Sequence, residues 1–296
     1  MAGFDQWFSS EFSIATYDPY DPANAHCAAA RKGDRRALFW HNGSPLEKPL
    51  AGCTARMVMD RAAPFIATAA GDEKPFFAVI WFHAPHEPVV GHPTYIAKYY
   101  RDRPENEQAY FSCITALDAQ MGRLREQLRA LGIEKETLLV FASDNGPEGN
   151  PGPRGKSQGT AGKFRGRKRS LYEGGLRVPA VAEWPGTLEP RVVDAPCVSS
   201  DYFPTISSLL GLPLAGRPYD GIDLLSILKG AQRTRESKIG FRYGRDRTLV
   251  SEKFKLVHNA GRLKRRRSDN GKVPVAEFEL YNIRLDRVQD KKVKMV

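Results

Sequence analysis

Three short stretches of this chain hold residue types that can do chemistry. Ser143-Asp144-Asn145-Gly146-Pro147 puts a carboxylate and an amide oxygen on adjacent residues, a donor pair suited to a hard divalent cation such as calcium or magnesium. Two oxygens fill only part of a shell of six or more. Further on, Arg165, Arg167, Lys168 and Arg169 crowd one loop that leads into Tyr172-Glu173-Gly174-Gly175. A cation there can hold the oxygens of a tetrahedral anion and offset charge that grows in a transition state. The paired glycines let the backbone turn close to something bound. Spacing alone does not separate which of the four cations reaches inward. The third stretch, His83-Ala84-Pro85-His86-Glu87-Pro88, offers His86, or His83 three residues earlier, to bind the anion or protonate a leaving oxygen. Glu87 and Glu173 are candidate supporting carboxylates. Each stretch also has a plainer reading, since Asp-Asn-Gly is a common turn and basic loops are usually solvated. The strand before Asp144 and the lysine after it favour the chemical one.

The elements around these stretches follow an α/β order. Met57 to Ala70 is read as a helix, and Pro75 to Phe82 as an apolar strand buried on both faces of a parallel sheet, with the histidine loop leaving its carboxyl end. Ile114, Leu117, Met121, Leu124, Leu128 and Leu131 recur at spacings of three and four, which predicts an amphipathic helix from Glu107 to Leu131 closed by Gly132. Thr137 to Ala142 reads as a second buried strand that delivers Asp144 and Asn145 at its carboxyl end, where open α/β sheets place ligands. Val178 to Trp184 gives another short strand, and Asp201 to Leu210 a helix ended by Gly211. The α/β domain is expected over 1–230. Over 231–296, Thr248 to Val257 and Glu277 to Asn282 alternate as antiparallel strands do, which predicts a small β subdomain. The first 50 or so residues read as surface loop.

At 296 residues with 41% hydrophobic residues, the chain can bury a full core and is not a disordered segment. Its net charge of +11 favours anionic partners. The cations cluster at 31–36, 262–267 and 291–294 without a recognition-helix or zinc-finger pattern, so they read as solvated loops and tail and not as a nucleic-acid surface; a polyanionic substrate such as a sulfated glycan would suit the same field. Cys27, Cys53, Cys113 and Cys197 form no Cys-x-x-Cys pair, which argues against a structural zinc or a dense disulfide framework. No apolar run approaches the roughly 18 residues of a membrane span, and Met1 to Trp7 lacks the pattern of a signal peptide.

Taken in order, Gly3-Phe4-Asp5, Ala84-Pro85-His86-Glu87-Pro88, Ser143-Asp144-Asn145-Gly146-Pro147, Lys168 through Glu173-Gly174-Gly175 to Arg177-Val178-Pro179, Trp184-Pro185-Gly186, Ser200-Asp201-Tyr202-Phe203-Pro204-Thr205 and Leu280-Tyr281-Asn282 resemble the sulfatase family, in the branch of arylsulfatase A and N-acetylgalactosamine-6-sulfate sulfatase. The resemblance implies an alkaline-phosphatase-like α/β sandwich with a mostly parallel central sheet, here incomplete. It implies a sulfuric ester hydrolase in which a formylglycine, made from Cys or Ser in Cys/Ser-x-Pro-x-Arg, attacks sulfur beside one calcium ion. Asp144 and Asn145 match the family's later pair of metal ligands, Lys168 a sulfate-contacting lysine, and His86 a substrate-contacting histidine. Sulfated small molecules or glycans are the implied substrates, and secretion or a periplasmic location is implied for a complete member.

Two departures matter. Arg167 and Arg169 stand where the family often has glycine, and no Cys/Ser-x-Pro-x-Arg occurs; Cys27-Ala28-Ala29-Ala30-Arg31 has Ala in place of Pro. The expectation is therefore an inactive, amino-terminally truncated fragment. A phosphoester or phosphonate hydrolase of the same superfamily and a non-catalytic anion-binding module are the alternatives.

Overall fold

The computed structural model describes residues 3–10, 13–24, 39–149, 158–260, 276–286 and 289. Cys27 and the basic clusters at 31–36, 262–267 and 291–294 lie outside the described residues. The chain forms two compact units, Met1–Thr137 with Glu148–Thr160, and Leu138–Pro147 with Ala161–Val296.

In the first unit, helix α1 (Thr54–Gly71) packs against helix α2 (Glu105–Ala130). Both helices form where the sequence predicts them, α2 from its apolar spacing. Buried Met57, Met59, Ala63 and Ile66 make the inner stripe of α1, and Ala116, Leu124 and Leu128 that of α2. Polar ties fix the register: Arg123 donates to Asp60 at 2.6 Å and Gln127 to the Ala63 carbonyl at 2.7 Å. Gly132, at φ +72°, turns the chain after α2, a backbone angle that costs glycine little.

The described residues of the amino-terminal stretch are not all surface loop. Strands β1 (Phe8–Ser10), β2 (Phe39–His41) and β3 (Ser44–Pro45) form an antiparallel sheet, and Ile14 and Phe39 bury against Met57. Aperiodic sequence can still bury when later segments satisfy its backbone. Thr16 N–H donates to the Pro88 carbonyl at 3.0 Å, its hydroxyl to the Val90 carbonyl at 2.8 Å, and its own carbonyl accepts Thr54 N–H at 3.1 Å.

The expectation for Pro75 to Phe82 is not met. That run forms no strand, and Phe77, Val79 and Trp81 are exposed, Trp81 to 85%. An apolar run sets burial tendency, but a strand exists only where another strand completes its ladder. In the second unit, β4 (Leu139–Ala142) pairs antiparallel with β5 (Ala180–Glu183). Among the described residues every strand pairing is antiparallel.

The carboxyl-terminal part matches its prediction more closely. Strands β6 (Ile239–Tyr243), β7 (Asp246–Val250), β8 (Phe254–His258) and β9 (Phe278–Asn282) make one antiparallel sheet in sequence order. One face alternates inward with Ile239, Val250, Val257 and Tyr281, which bury against Tyr172. Helix α3 (Tyr202–Leu209) precedes this sheet and is followed by Gly211 at φ +65°.

Candidate functional site

β4 ends one residue before Ser143 and so hands Asp144 and Asn145 to a turn at the strand's carboxyl end. Ser143 fixes that turn: its N–H donates to the Pro179 carbonyl at 3.1 Å and its hydroxyl to the Asn145 carbonyl at 3.0 Å. Asp144 is exposed and Asn145 half-buried. Their oxygens are of the type a hard cation takes, and two of them would fill only part of its shell. Among the described residues, no group of three or more His, Cys, Asp or Glu comes together as a metal site.

Glycines decide how this turn meets the lysine loop. A Cβ on Gly146 would lie 2.0 Å from the Gly174 carbonyl oxygen, one on Gly174 2.1 Å from that of Gly166, and one on Gly175 2.1 Å from that of Ser170. Backbone therefore rests directly on backbone, at a spacing that excludes any side chain. Hydrogen bonds follow the same contacts. Gly146 N–H donates to Gly175 O at 2.9 Å, Lys168 N–H to Pro147 O at 3.0 Å, and Gly174 N–H to Arg165 O at 2.7 Å. The Asp144-Asn145 turn and the Lys168 loop are thus joined within the second unit. Lys168 is half-buried at the middle of its loop. Arg169 beside it adopts a left-handed φ of +66°, a conformation that costs a non-glycine residue about 1 kcal/mol or more and that glycine takes freely.

The loop rests on charged residues of the β8 and β9 strands that motif reading passed over. Fully buried Lys255 donates to Glu173 at 2.8 Å, and buried Glu279 lies 3.3 Å from the Arg165 guanidinium. Tyr172 and Tyr281 both donate to the same Glu279 oxygen, at 2.5 and 2.8 Å. Burial pulls the Lys255 ammonium below its ordinary value while the Glu173 carboxylate draws it back up. Burial and the Glu279 hydrogen bond push the Tyr172 phenol up to about 12. A signal for these residues existed: Lys255 and Glu279 occupy the same alternation phase as Val257 and Tyr281, where an inward apolar residue is expected.

His86 sits in the first unit. Its Nδ1 is 2.7 Å from the Glu87 carbonyl and its ring is exposed. His83 differs, because its Nε2 accepts Ile14 N–H at 3.2 Å and burial, with His86 beside it, lowers its pKa.

Solved structures share this fold. Ps i-CgsB matches over 98% of this chain and 62% of its own, with a TM-score of 0.79 at 22% identity. A protein in the alkaline phosphatase superfamily from Vibrio parahaemolyticus matches over 83% and 50%, at 0.55 and 14%. The fold is thus of the alkaline-phosphatase-like α/β class. The sulfatase family model matches residues 2–212, and the chain belongs to the sulfatase family. It is 34% identical to arylsulfatase A of Homo sapiens over 65% of this chain and 36% of that protein. It is 32% identical to N-acetylgalactosamine-6-sulfatase of Mus musculus over 79% and 44%. The chain therefore spans less than half the length of these relatives.

Proposed function

We propose that these residues form the cation- and sulfate-holding part of a sulfuric ester hydrolase that acts on sulfated carbohydrates. One observation carries the reading: the turn with Asp144 and Asn145 and the loop with Lys168 are locked together, backbone on backbone, through Gly146, Gly174 and Gly175. Metal-assisted attack on a sulfate ester needs a hard cation and a fixed positive side chain on one frame, because charge builds on several oxygens at once.

Asp144 and Asn145 would hold the divalent ion, calcium by resemblance and magnesium as its competitor. When bound, that ion serves as a Lewis acid toward a sulfate oxygen. The Lys168 ammonium holds another oxygen by a charge-assisted hydrogen bond. In His86 the Nδ1–H donates to the Glu87 carbonyl, which leaves Nε2 to meet a substrate or leaving oxygen. Because Cys/Ser-x-Pro-x-Arg does not occur in the 296 residues, this chain by itself is proposed to bind sulfate without hydrolysing its esters. The carbohydrate class is supported by the N-acetylgalactosamine-6-sulfatase relatives and by the solved complex of Ps i-CgsB with k-i-k-neocarrahexaose.

Equilibrium dialysis of inorganic sulfate against the chain, with and without calcium, tests this. Sulfate is expected to bind more tightly with calcium present, Asp144→Ala to remove that gain, and Lys168→Ala to weaken binding about tenfold, or ~1.4 kcal/mol. Sulfate affinity that ignores both substitutions sinks the reading. Phosphate bound more tightly than sulfate turns it toward phosphoester substrates.

A further inference from the structure

We infer that Glu279, a residue of the carboxyl-terminal sheet, is a positioning residue for Lys168, so that the anion loop takes its working shape only when clamped by β8 and β9. The inference rests on the proposed role of Lys168. Its own support is geometric. The loop runs from Arg165 to Glu173 with Lys168 near its middle, and both ends are fastened to one face of the sheet.

At the first end, the Arg165 guanidinium lies 3.3 Å from Glu279 and donates to the Tyr281 hydroxyl. At the second end, the Tyr172 hydroxyl donates to the same Glu279 oxygen. The two ends also meet each other, since the Arg165 guanidinium lies 3.9 Å from the centre of the Tyr172 ring. Glu173, next in line, takes Lys255 at 2.8 Å, while its N–H donates to Gln289 at 2.7 Å. Glu279 and Lys255 are both fully buried.

Such an arrangement has a physical reason. Four cations within five residues repel one another, and an unclamped loop relieves that repulsion by opening. A buried carboxylate opposite Arg165 removes one of those charges from the balance in a low dielectric, where the effect is strongest. Because that oxygen also accepts from Tyr172, a single group fixes the span that carries Lys168. The left-handed Arg169 agrees, since a strained residue persists only where its surroundings over-determine it.

A double-mutant cycle tests this on the full chain, using inorganic sulfate as the probe. Affinity is measured for the unsubstituted protein, Glu279→Gln, Lys168→Ala and the double variant, with thermal midpoints in parallel. The expectation is that Glu279→Gln weakens sulfate binding at least fivefold, and that it has no further effect once Lys168 is alanine. A merely structural role would lower the thermal midpoint equally in both backgrounds and leave the affinity of the folded protein unchanged; that result overturns the inference. If Glu279→Gln does not fold, Tyr281→Phe replaces it. That variant keeps the ring and removes only the contacts to Arg165 and Glu279, and wild-type affinity in it likewise counts against the clamp. A Lys168→Ala chain that binds sulfate as well as the parent overturns the functional reading, and this inference with it.

Discussion

Each histidine of the His83-Ala84-Pro85-His86 loop has a distinct environment, and their titration should differ accordingly. His83 is half-buried with its Nε2 accepting from Ile14 N–H, and partial burial together with the neighbouring His86 lowers its pKa below the ordinary 6.5. At this group the folded chain binds fewer protons than the unfolded one, so the stability that His83 contributes is complete above pH 6.5 and declines as pH falls below it. The expected result is a thermal midpoint that drops on acidification below that pH, and a shallower drop in His83→Asn. An unchanged slope in the variant would assign the pH dependence elsewhere. Residue type and spacing leave His83 and His86 as alternatives and the family resemblance alone singles out His86; the packed position of Ile14 now distinguishes their environments. In the same way Asp144, Asn145 and Lys168 were legible by type and order, whereas Glu279 needed the fold, because its partners Arg165 and Tyr172 are more than a hundred residues away.

At the scale of elements, the helices were legible because their signal is local. Apolar spacing fixes α2, and glycines just past the last turn end α2 and α3, while α1 lies over the run read as a helix, each to within a few residues. Strand pairing was not, because a ladder depends on which distant segment arrives. The clearest non-local tie in the second unit is the pair of Asp201 and Arg235, bonded at 2.7 and 3.0 Å with both side chains buried. The same carboxylate accepts Val198 and Ile222 N–H groups. Removing one partner strands a buried charge, which costs about 3–5 kcal/mol. Urea unfolding of Asp201→Ala should show a loss in that range, and Arg235→Met a comparable one. A loss below about 1 kcal/mol in both would mean that the pair is solvated in the folded chain.

Over the whole molecule, the surface is as informative as the interior. Phe77, Val79 and Trp81 are exposed in alternation along one extended run, and exposed apolar rows of that kind promote association. Trp81→Lys should raise the soluble fraction after expression while changing stability by no more than about 0.5 kcal/mol, since the ring buries little. Centrifugation followed by thermal unfolding checks both, and a large loss of stability would show that Trp81 is a core residue after all. Among the described residues no helix is long and apolar enough to cross a membrane. The sequence by itself determined the helices, the small carboxyl-terminal sheet and the order of the chemical motifs, because hydrophobic period, glycine stops and residue type act over a few neighbours. Only the tertiary structure decided which loops share a frame and which carboxylate fastens them. Gly146 on Gly174, and Glu279 on Arg165 and Tyr172, are contacts between segments that no local preference brings together.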